Sequence, residues 1–122
     1  MKKMLKVSLP PYETPRNAWR KKIHKNVALA MHAGNVTYSP GDRFAVEIEL
    51  HMDEGMLGFH DVDNRLKDVL DALQGRMGGP KKLHRHTRLI NNDRQVFQVS
   101  ISKVLVPAGS KGGGLLKIRR IR

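Results

Sequence analysis

Two aspartates and a lysine have the types and spacing needed to hold a divalent cation beside a phosphodiester. Asp61 and Asp63 lie two residues apart in the run DVDN, where a loop meets a predicted helix. Within a helix their side chains would diverge by about 200°, but the first residues at a helix start are not yet helical, so both can converge on one ion. Mg²⁺ prefers carboxylate oxygens and keeps several waters. The alternative is a helix N-terminus stabilised by acidic side chains without a metal.

Lys67 follows Asp63 by four residues and Asn64 by three, so it shares their helical face, away from the apolar stripe. Its ammonium can pair with a scissile phosphate, counter charge in the transition state or position the attacking water. The alternative is a surface ion pair with Asp63. Asn64 is predicted to orient the carboxylates or a bound water. Asp68 and Asp71 are predicted at solvated helix positions. Asp71 is also a candidate to hold the metal-binding side chains in place without contacting the metal itself.

Asp93 is the one acidic residue after position 71, and it stands at a turn that leads into a predicted strand. A carboxylate at the start of a strand is a natural third metal ligand. The alternative is an Asx turn, in which the side chain bonds its own backbone. His60, directly before Asp61, is a candidate metal ligand, a candidate phosphate contact or a loop residue without a role.

The charge distribution points to a polyanionic partner. The chain of 122 residues has 23 basic and 11 acidic residues and a net charge of +12, and nine of the acids lie within positions 42–71. Cations over the rest of a small domain suggest nucleic acid, although a basic surface can also serve solubility alone. Carboxylates repel phosphate unless a divalent cation lies between them. This combination is typical of a metal-dependent nuclease or polymerase.

Two basic segments are the candidate DNA contacts. One lies between the acidic motifs and the other closes the chain. The residues are Lys81, Lys82, Arg85, Arg88, Lys117, Arg119 and Arg120.

Composition sets the broad class of the protein. The length predicts one domain over residues 1–122, and the hydrophobic content of 39% is typical of a globular protein. No apolar run approaches a membrane span, and the first residues lack the apolar core of a signal peptide. There are no cysteines, which excludes disulfides and thiolate metal sites and fits a reducing cytoplasm.

Hydrophobic periodicity predicts four strands, at 4–9, 43–52, 94–106 and 115–121, with residues 53–60 and 75–88 as loops. It predicts one helix from a Thr14 N-cap to Gly34, with Trp19 as a core anchor, and another over 61–74. The order β-α-β-α-β-β predicts an α+β fold with two helices on one face of a mixed or antiparallel sheet. The last strand is expected to run antiparallel to the one before it.

The pattern D-V-D-N-x-x-K-x-x-x-D-A-L, followed by N-N-D-x-Q-V, resembles the RusA family of Holliday junction resolvases. The opening L-P-P and the closing K-G-G-G-L-L-K-I also fall in family-like order, so the resemblance covers nearly the whole chain. It implies a homodimeric endonuclease, often of phage or prophage origin. Such an enzyme uses Mg²⁺, or Mn²⁺ in its place, and no small-molecule cofactor. It nicks four-way DNA in recombination and repair, leaving 5′-phosphate ends.

By position, the resemblance implies metal-binding roles for Asp61, Asp63 and Asp93 and a catalytic role for Lys67. Many family members have a second acid directly before the later aspartate, where this chain has Asn92, which offers only a carbonyl oxygen. Two other functions remain open at this point. One is a DNA-binding accessory protein without catalysis, and the other is a general flap or single-strand nuclease.

Overall fold

The computed structural model describes residues 4–77, 87–110 and 112–121, and it confirms a small α+β domain. None of the helices in these ranges is long and apolar enough to cross a membrane. The elements in chain order are β1 (Met4–Leu9), α1 (Arg16–Ala33), β2 (Arg43–Met52), α2 (Glu54–Leu57), α3 (Val62–Leu73), β3 (Val96–Leu105) and β4 (Gly113–Ile121).

The four strands form one mixed sheet in the order β1-β4-β2-β3. Strand β4 pairs antiparallel with both β1 and β2, whereas β2 and β3 are parallel. The last strand therefore runs antiparallel to β3, as expected, but β2 lies between them. The sheet consequently ends in β1 on one side and β3 on the other.

The core lies between one face of the sheet and the helices α1 and α3. Alternate residues of β1 and β2 are buried, and α1 contributes one buried residue per turn. Trp19 anchors this core as predicted, because its ring is buried and its indole N–H donates to the carbonyl of Pro10 at 2.8 Å. We call this side of the sheet the helical face and the opposite side the open face.

Four local predictions are wrong in detail. Strand β4 begins at Gly113 rather than at residue 115. Helix α1 has Pro15 rather than Thr14 at its N-cap position, and it has no side-chain cap. The predicted loop 53–60 contains the short helix α2, because the Asp53 side chain accepts from the backbone N–H of Met56 and caps it. Strand β3 begins at Val96 rather than residue 94, because a 3-10 turn over Asp93–Gln95 precedes it.

Candidate active site

Two carboxylates are exposed at the N-terminal end of α3. Asp61 occupies the N-cap position with an extended backbone, yet its side chain makes no capping hydrogen bond. Asp63 follows in the first turn. Within the described ranges, neither carboxylate forms an ion pair with any of the chain's many cations. Both are therefore available to an external cation.

Asn64 lies beside Asp61, as the prediction of an orienting role requires. Its amide nitrogen faces Oδ2 of Asp61 at a long 3.5 Å, and its backbone carbonyl accepts from the guanidinium of Arg16 at 3.4 Å. Arg16 is the first residue of α1, so the N-terminal ends of α1 and α3 lie side by side. This contact brings a partly exposed cation to the acidic end of α3. Sequence reasoning missed it because the two residues are 48 positions apart.

Lys67 points along α3 toward its C-terminal end. Its ammonium lies 3.3 Å from Oδ2 of Asp71, and its side chain is 64% exposed. The i,i+4 partner is thus Asp71 rather than Asp63. Only the lysine of this pair is exposed, and Asp71 keeps an ion pair with Arg20 at 3.3 Å when the lysine moves away. Lys67 can therefore leave Asp71 for a phosphate at little cost.

Asp68 is not solvated, contrary to the prediction, but completely buried. Its Oδ1 accepts from Nε of Arg16 at 2.8 Å and from Nε of Arg20 at 2.9 Å. Arg65, also buried, approaches Oδ2 at 3.2 Å as an ion contact without hydrogen-bond alignment. The buried face of α3 therefore differs from the predicted apolar stripe, because Val62 is exposed whereas Arg65 and Asp68 are buried. Three arginines compensate this one buried charge.

Asp71 is also buried rather than solvated. Its Oδ2 lies 3.3 Å from both Arg20 and Lys67. It therefore belongs to the charge network between α1 and α3, and the network ends at Lys67. In this position it supports Lys67 rather than the carboxylates at the helix start.

His60 is held on one ring nitrogen by Arg65. A guanidinium can only donate, so the contact of 3.3 Å between Arg65 and Nδ1 makes Nδ1 the acceptor and places the hydrogen of the neutral ring on Nε2. Tyr12 packs edge-on against the ring at a centroid distance of 4.7 Å. Burial, with the charges of Arg65 and Lys103, lowers the pKa of His60 below 6.5. These contacts favour a hydrogen-bond donor over a metal ligand.

Asp93 lies at the other end of α3. Its backbone N–H donates to the side-chain oxygen of Gln74, which is the C-cap residue of that helix. Asn92 caps the 3-10 turn, with its side-chain oxygen accepting from the N–H of Arg94 at 2.8 Å. The carbonyl oxygen that Asn92 could offer a metal is thus already engaged.

Asp61 and Asp63 both lie at the start of α3, whereas Asp93 lies at the other end of that helix. Asp61 and Gln74 are separated by the 12 residues of α3, or about 18 Å at 1.5 Å per residue. In agreement with this separation, the described part of the chain contains no group of three acidic or histidine side chains that could hold a metal ion. One copy of the chain therefore offers a two-carboxylate site.

The predicted DNA contacts fall on different sides of the domain. Lys117 and Arg119 belong to the open face, on the opposite side of the sheet from α3, and Lys117 lies 3.7 Å from Glu47. Arg120 shares the helical face with Phe44. Arg88 is exposed and donates to the carbonyl of Asn91 at 3.4 Å. The other three predicted contacts, Lys81, Lys82 and Arg85, lie outside the described residues.

Asp61 and Asp63 suit Mg²⁺ by their chemistry. Both side chains are exposed at a helix start, and neither forms an ion pair within the described ranges. Mg²⁺ commonly binds one or two carboxylates, several waters and substrate phosphates rather than a complete protein cage. The exposed Phe59, with 85% of its surface accessible, lies two residues before Asp61 and was not anticipated. Compared with models of known protein families and with curated proteins, the chain matches none.

Proposed function

We propose that this chain is a Mg²⁺-dependent endonuclease that resolves four-way DNA junctions by paired nicks. The observation that carries the proposal is the contrast along α3. Its buried acids, Asp68 and Asp71, are neutralised by arginine and lysine, while Asp61 and Asp63 are exposed and form no ion pair with a cation of the described residues. Unpaired carboxylates in a chain of net charge +12 are costly near DNA unless they hold a metal. The resemblance to the RusA family agrees with this interpretation.

The residues in the first turns of α3 have different roles in the proposed cleavage of a phosphodiester. Asp61 and Asp63 would hold Mg²⁺, and the chemistry supplied by the bound ion would be the activation of a water and the stabilisation of the leaving oxygen. Asn64 steadies Asp61 through its amide. Lys67 leaves its surface pair with Asp71 and places its ammonium against the scissile phosphate. Charge developing on that phosphate is thereby countered by a group one turn away from the ligands.

His60 and Arg16 surround the same end of the helix. With Nδ1 accepting from Arg65, the imidazole presents its N–H on Nε2, which can donate to a phosphate oxygen without carrying charge. Arg16 is already fixed by Asp68 and the carbonyl of Asn64, so its guanidinium needs little ordering to meet DNA. Both side chains therefore support phosphate placement rather than metal binding.

A second copy of the chain can add a third carboxylate to the two that one copy offers. The separation between Asp93 and Asp61 prevents one copy from closing the site alone, whereas a homodimer can bring the Asp93 of one copy to the Asp61 and Asp63 of the other. A two-fold dimer would also present two equivalent sites to a four-way junction, which itself has approximate two-fold symmetry. The proposed enzyme therefore acts as a homodimer.

The direct test compares three DNA substrates with the purified chain. A four-way junction, a flapped duplex and a linear duplex of equal length are incubated with Mg²⁺ or with EDTA. We expect paired nicks in the junction, only with Mg²⁺, and little cleavage of the other two. Cleavage of the flap as fast as the junction would indicate a general nuclease. Tight junction binding without cleavage in Mg²⁺ or Mn²⁺ would indicate a DNA-binding accessory protein.

A further inference from the structure

A short groove begins beside the turns that precede β2 and β3 and continues onto the open face of the sheet. Its first part is a hollow of about 410 Å³, and Arg43, Arg94 and Phe97 are among the residues that line it. Its second part is a hollow of about 160 Å³ over Ala45 and Gln98. Phe97 directly precedes Gln98, so the two hollows meet beside this aromatic residue. We call the two hollows together the open-face groove.

Phe97 is presented to the groove by a break in the pairing of β2 with β3. Phe44 pairs with Val96 and Ala45 pairs with Gln98, so Phe97 is an extra residue on its strand. A β-bulge of this kind redirects a side chain. The ring is 60% exposed, and the guanidinium carbon of Arg43 lies over it at 5.3 Å from the centroid. Aromatic rings and guanidinium planes are the groups on which unpaired bases stack.

A buried glutamine holds the first hollow in shape. The amide nitrogen of Gln95 donates to three carbonyls of the turn before β2 at 2.9–3.1 Å. Its oxygen accepts from the backbone N–H groups of Asn91 and Asn92 at 2.9 and 3.1 Å. One side chain therefore ties together the two turns that form the walls. A preformed hollow needs less ordering when a ligand binds.

The charge of the groove suits a phosphate backbone. Glu47, which lines the second hollow, lies 3.7 Å from Lys117. Asp42, which lines the first, lies 3.6 Å from Arg120. The acids that line the groove are thus each matched by a cation. Three further arginines line the groove and form no ion pair within the described ranges, and they are Arg43, Arg94 and Arg119.

We propose that the open-face groove binds a short stretch of unpaired DNA, with one base stacked on Phe97 and the neighbouring phosphates beside the arginines. A duplex keeps its bases stacked inside, so it would use the arginines but not the exposed ring. An unpaired strand uses both, because every base has a face that can stack. The choice of DNA over RNA rests on the proposed function.

This site is separate from the candidate active site. Arg119, Ala45 and Gln98 lie in register across the sheet on the open face, whereas α3 packs against the helical face. A strand in the groove would therefore be held away from the carboxylates at the start of α3. The groove also gives a role to the cations that sequence analysis predicted as DNA contacts but that lie on the opposite side of the sheet from α3.

Binding of a labelled oligothymidine in EDTA tests the groove without cleavage. The oligomer has about eight nucleotides, which is within the ~4–16 of known single-strand sites. By fluorescence anisotropy, Phe97→Ala should raise the dissociation constant about 5- to 100-fold, the usual effect of losing one base–aromatic stack. Leu29→Ala, at an exposed leucine on α1, is the matched control and should bind as the wild type does. Equal affinity of the two variants would overturn the proposal.

The salt dependence of the same binding tests the arginines. Arg119→Gln should reduce the slope of log affinity against log salt by about 0.7, as expected for one lost contact with a single-strand phosphate. Lys22→Gln, at an exposed lysine of α1, should leave the slope unchanged. Equal slopes for the two variants would contradict a phosphate contact in the groove.

A tryptophan at position 97 reports stacking directly. The oligothymidine should quench the emission that Phe97→Trp adds to that of the buried Trp19, and it should not quench the emission added by Leu29→Trp. No quenching at position 97, or equal quenching at both positions, would refute the stacked base. Tighter binding of an oligouridine of the same length would refute DNA as the occupant. Oligothymidine binding that depends on Phe97 in a chain that cleaves no junction would refute the proposed function and leave this site intact.

Discussion

The guanidinium of Arg65 donates to Nδ1 of His60 at 3.3 Å, and this contact joins the buried charge network to the residue that precedes Asp61. Arg65 is itself paired with Asp68 in the interior and lies over the ring of Tyr12 at 4.2 Å. A single buried side chain therefore fixes the imidazole at the start of α3.

The lowered pKa of His60 predicts a specific loss of stability in acid. Because the folded chain disfavours the protonated ring, the unfolded chain binds the extra proton first as the pH falls below about 6.5. The contribution of neutral His60 to the free energy of unfolding is therefore fully present above that pH and is lost as the pH falls below it. We therefore expect the free energy of unfolding, measured with urea in EDTA, to fall less for His60→Gln than for the wild type between about pH 7.5 and 5.5. These two pH values lie about one unit either side of the ordinary histidine pKa. Identical slopes would remove His60 as the cause.

Asp68 should be among the most important single residues for stability. Asp68→Asn leaves Arg16, Arg20 and Arg65 beside a neutral amide, and breaking a buried ion network costs about 3–5 kcal/mol. Urea denaturation measures the loss. Asp63→Asn is the matched control, since its exposed carboxylate has no described partner, and it should change stability by less than about 0.5 kcal/mol. Equal effects of the two substitutions would show that the buried network is not the stabilising element.

Lys67→Ala should slow junction cleavage by about 10²–10³, as expected for one lost electrostatic contact in the transition state. Single-turnover cleavage gives the rate, and a gel-shift titration in Ca²⁺ should show nearly unchanged affinity. Lys22→Ala is the matched control, because Lys22 also forms an exposed ion pair, with Glu13 at 2.8 Å. If the two variants cleave equally well, Lys67 is only the surface partner of Asp71.

Junction affinity should fall steeply with salt. If about 6–10 phosphates are contacted, the association constant should drop by ~10³–10⁵ between about 50 and 200 mM salt, because bound counterions are released. Fluorescence anisotropy with labelled junction in Ca²⁺ measures this slope. A flat dependence would show that the basic surface does not bind the DNA.

Much of the fold follows from local pattern. The strict alternation of residues 43–52 predicts β2 with its exact bounds, and the spacing of Trp19, Ile23 and Val27 predicts the buried stripe of α1. Both signals depend only on neighbours in sequence. The order of the strands in the sheet cannot be predicted from such neighbours, because β4 pairs with β1 and β2, which are distant from it in sequence.

The errors in the candidate site have a common physical origin. Asp68 looks like a surface residue in sequence, and only the approach of Arg16 and Arg20 from another helix makes its burial possible. The separation of Asp93 from Asp61 likewise depends on the C-terminal end of α3 meeting the turn before β3. Periodicity within one element carries no information about such contacts between elements. The exposed pair Asp61 and Asp63, by contrast, depends on a local helix start and was predicted correctly in position.

The proposed metal site depends on the carboxylates that begin α3, and one comparison of variants tests their role. Single-turnover cleavage of a four-way junction in Mg²⁺ is measured for wild type, Asp63→Asn and Glu54→Gln, the last removing an equal exposed charge nearby. We predict that Asp63→Asn abolishes cleavage while binding the junction as well as or better than wild type, and that Glu54→Gln cleaves normally. Cleavage by Asp63→Asn at the wild-type rate would show that Asp63 does not hold the catalytic metal.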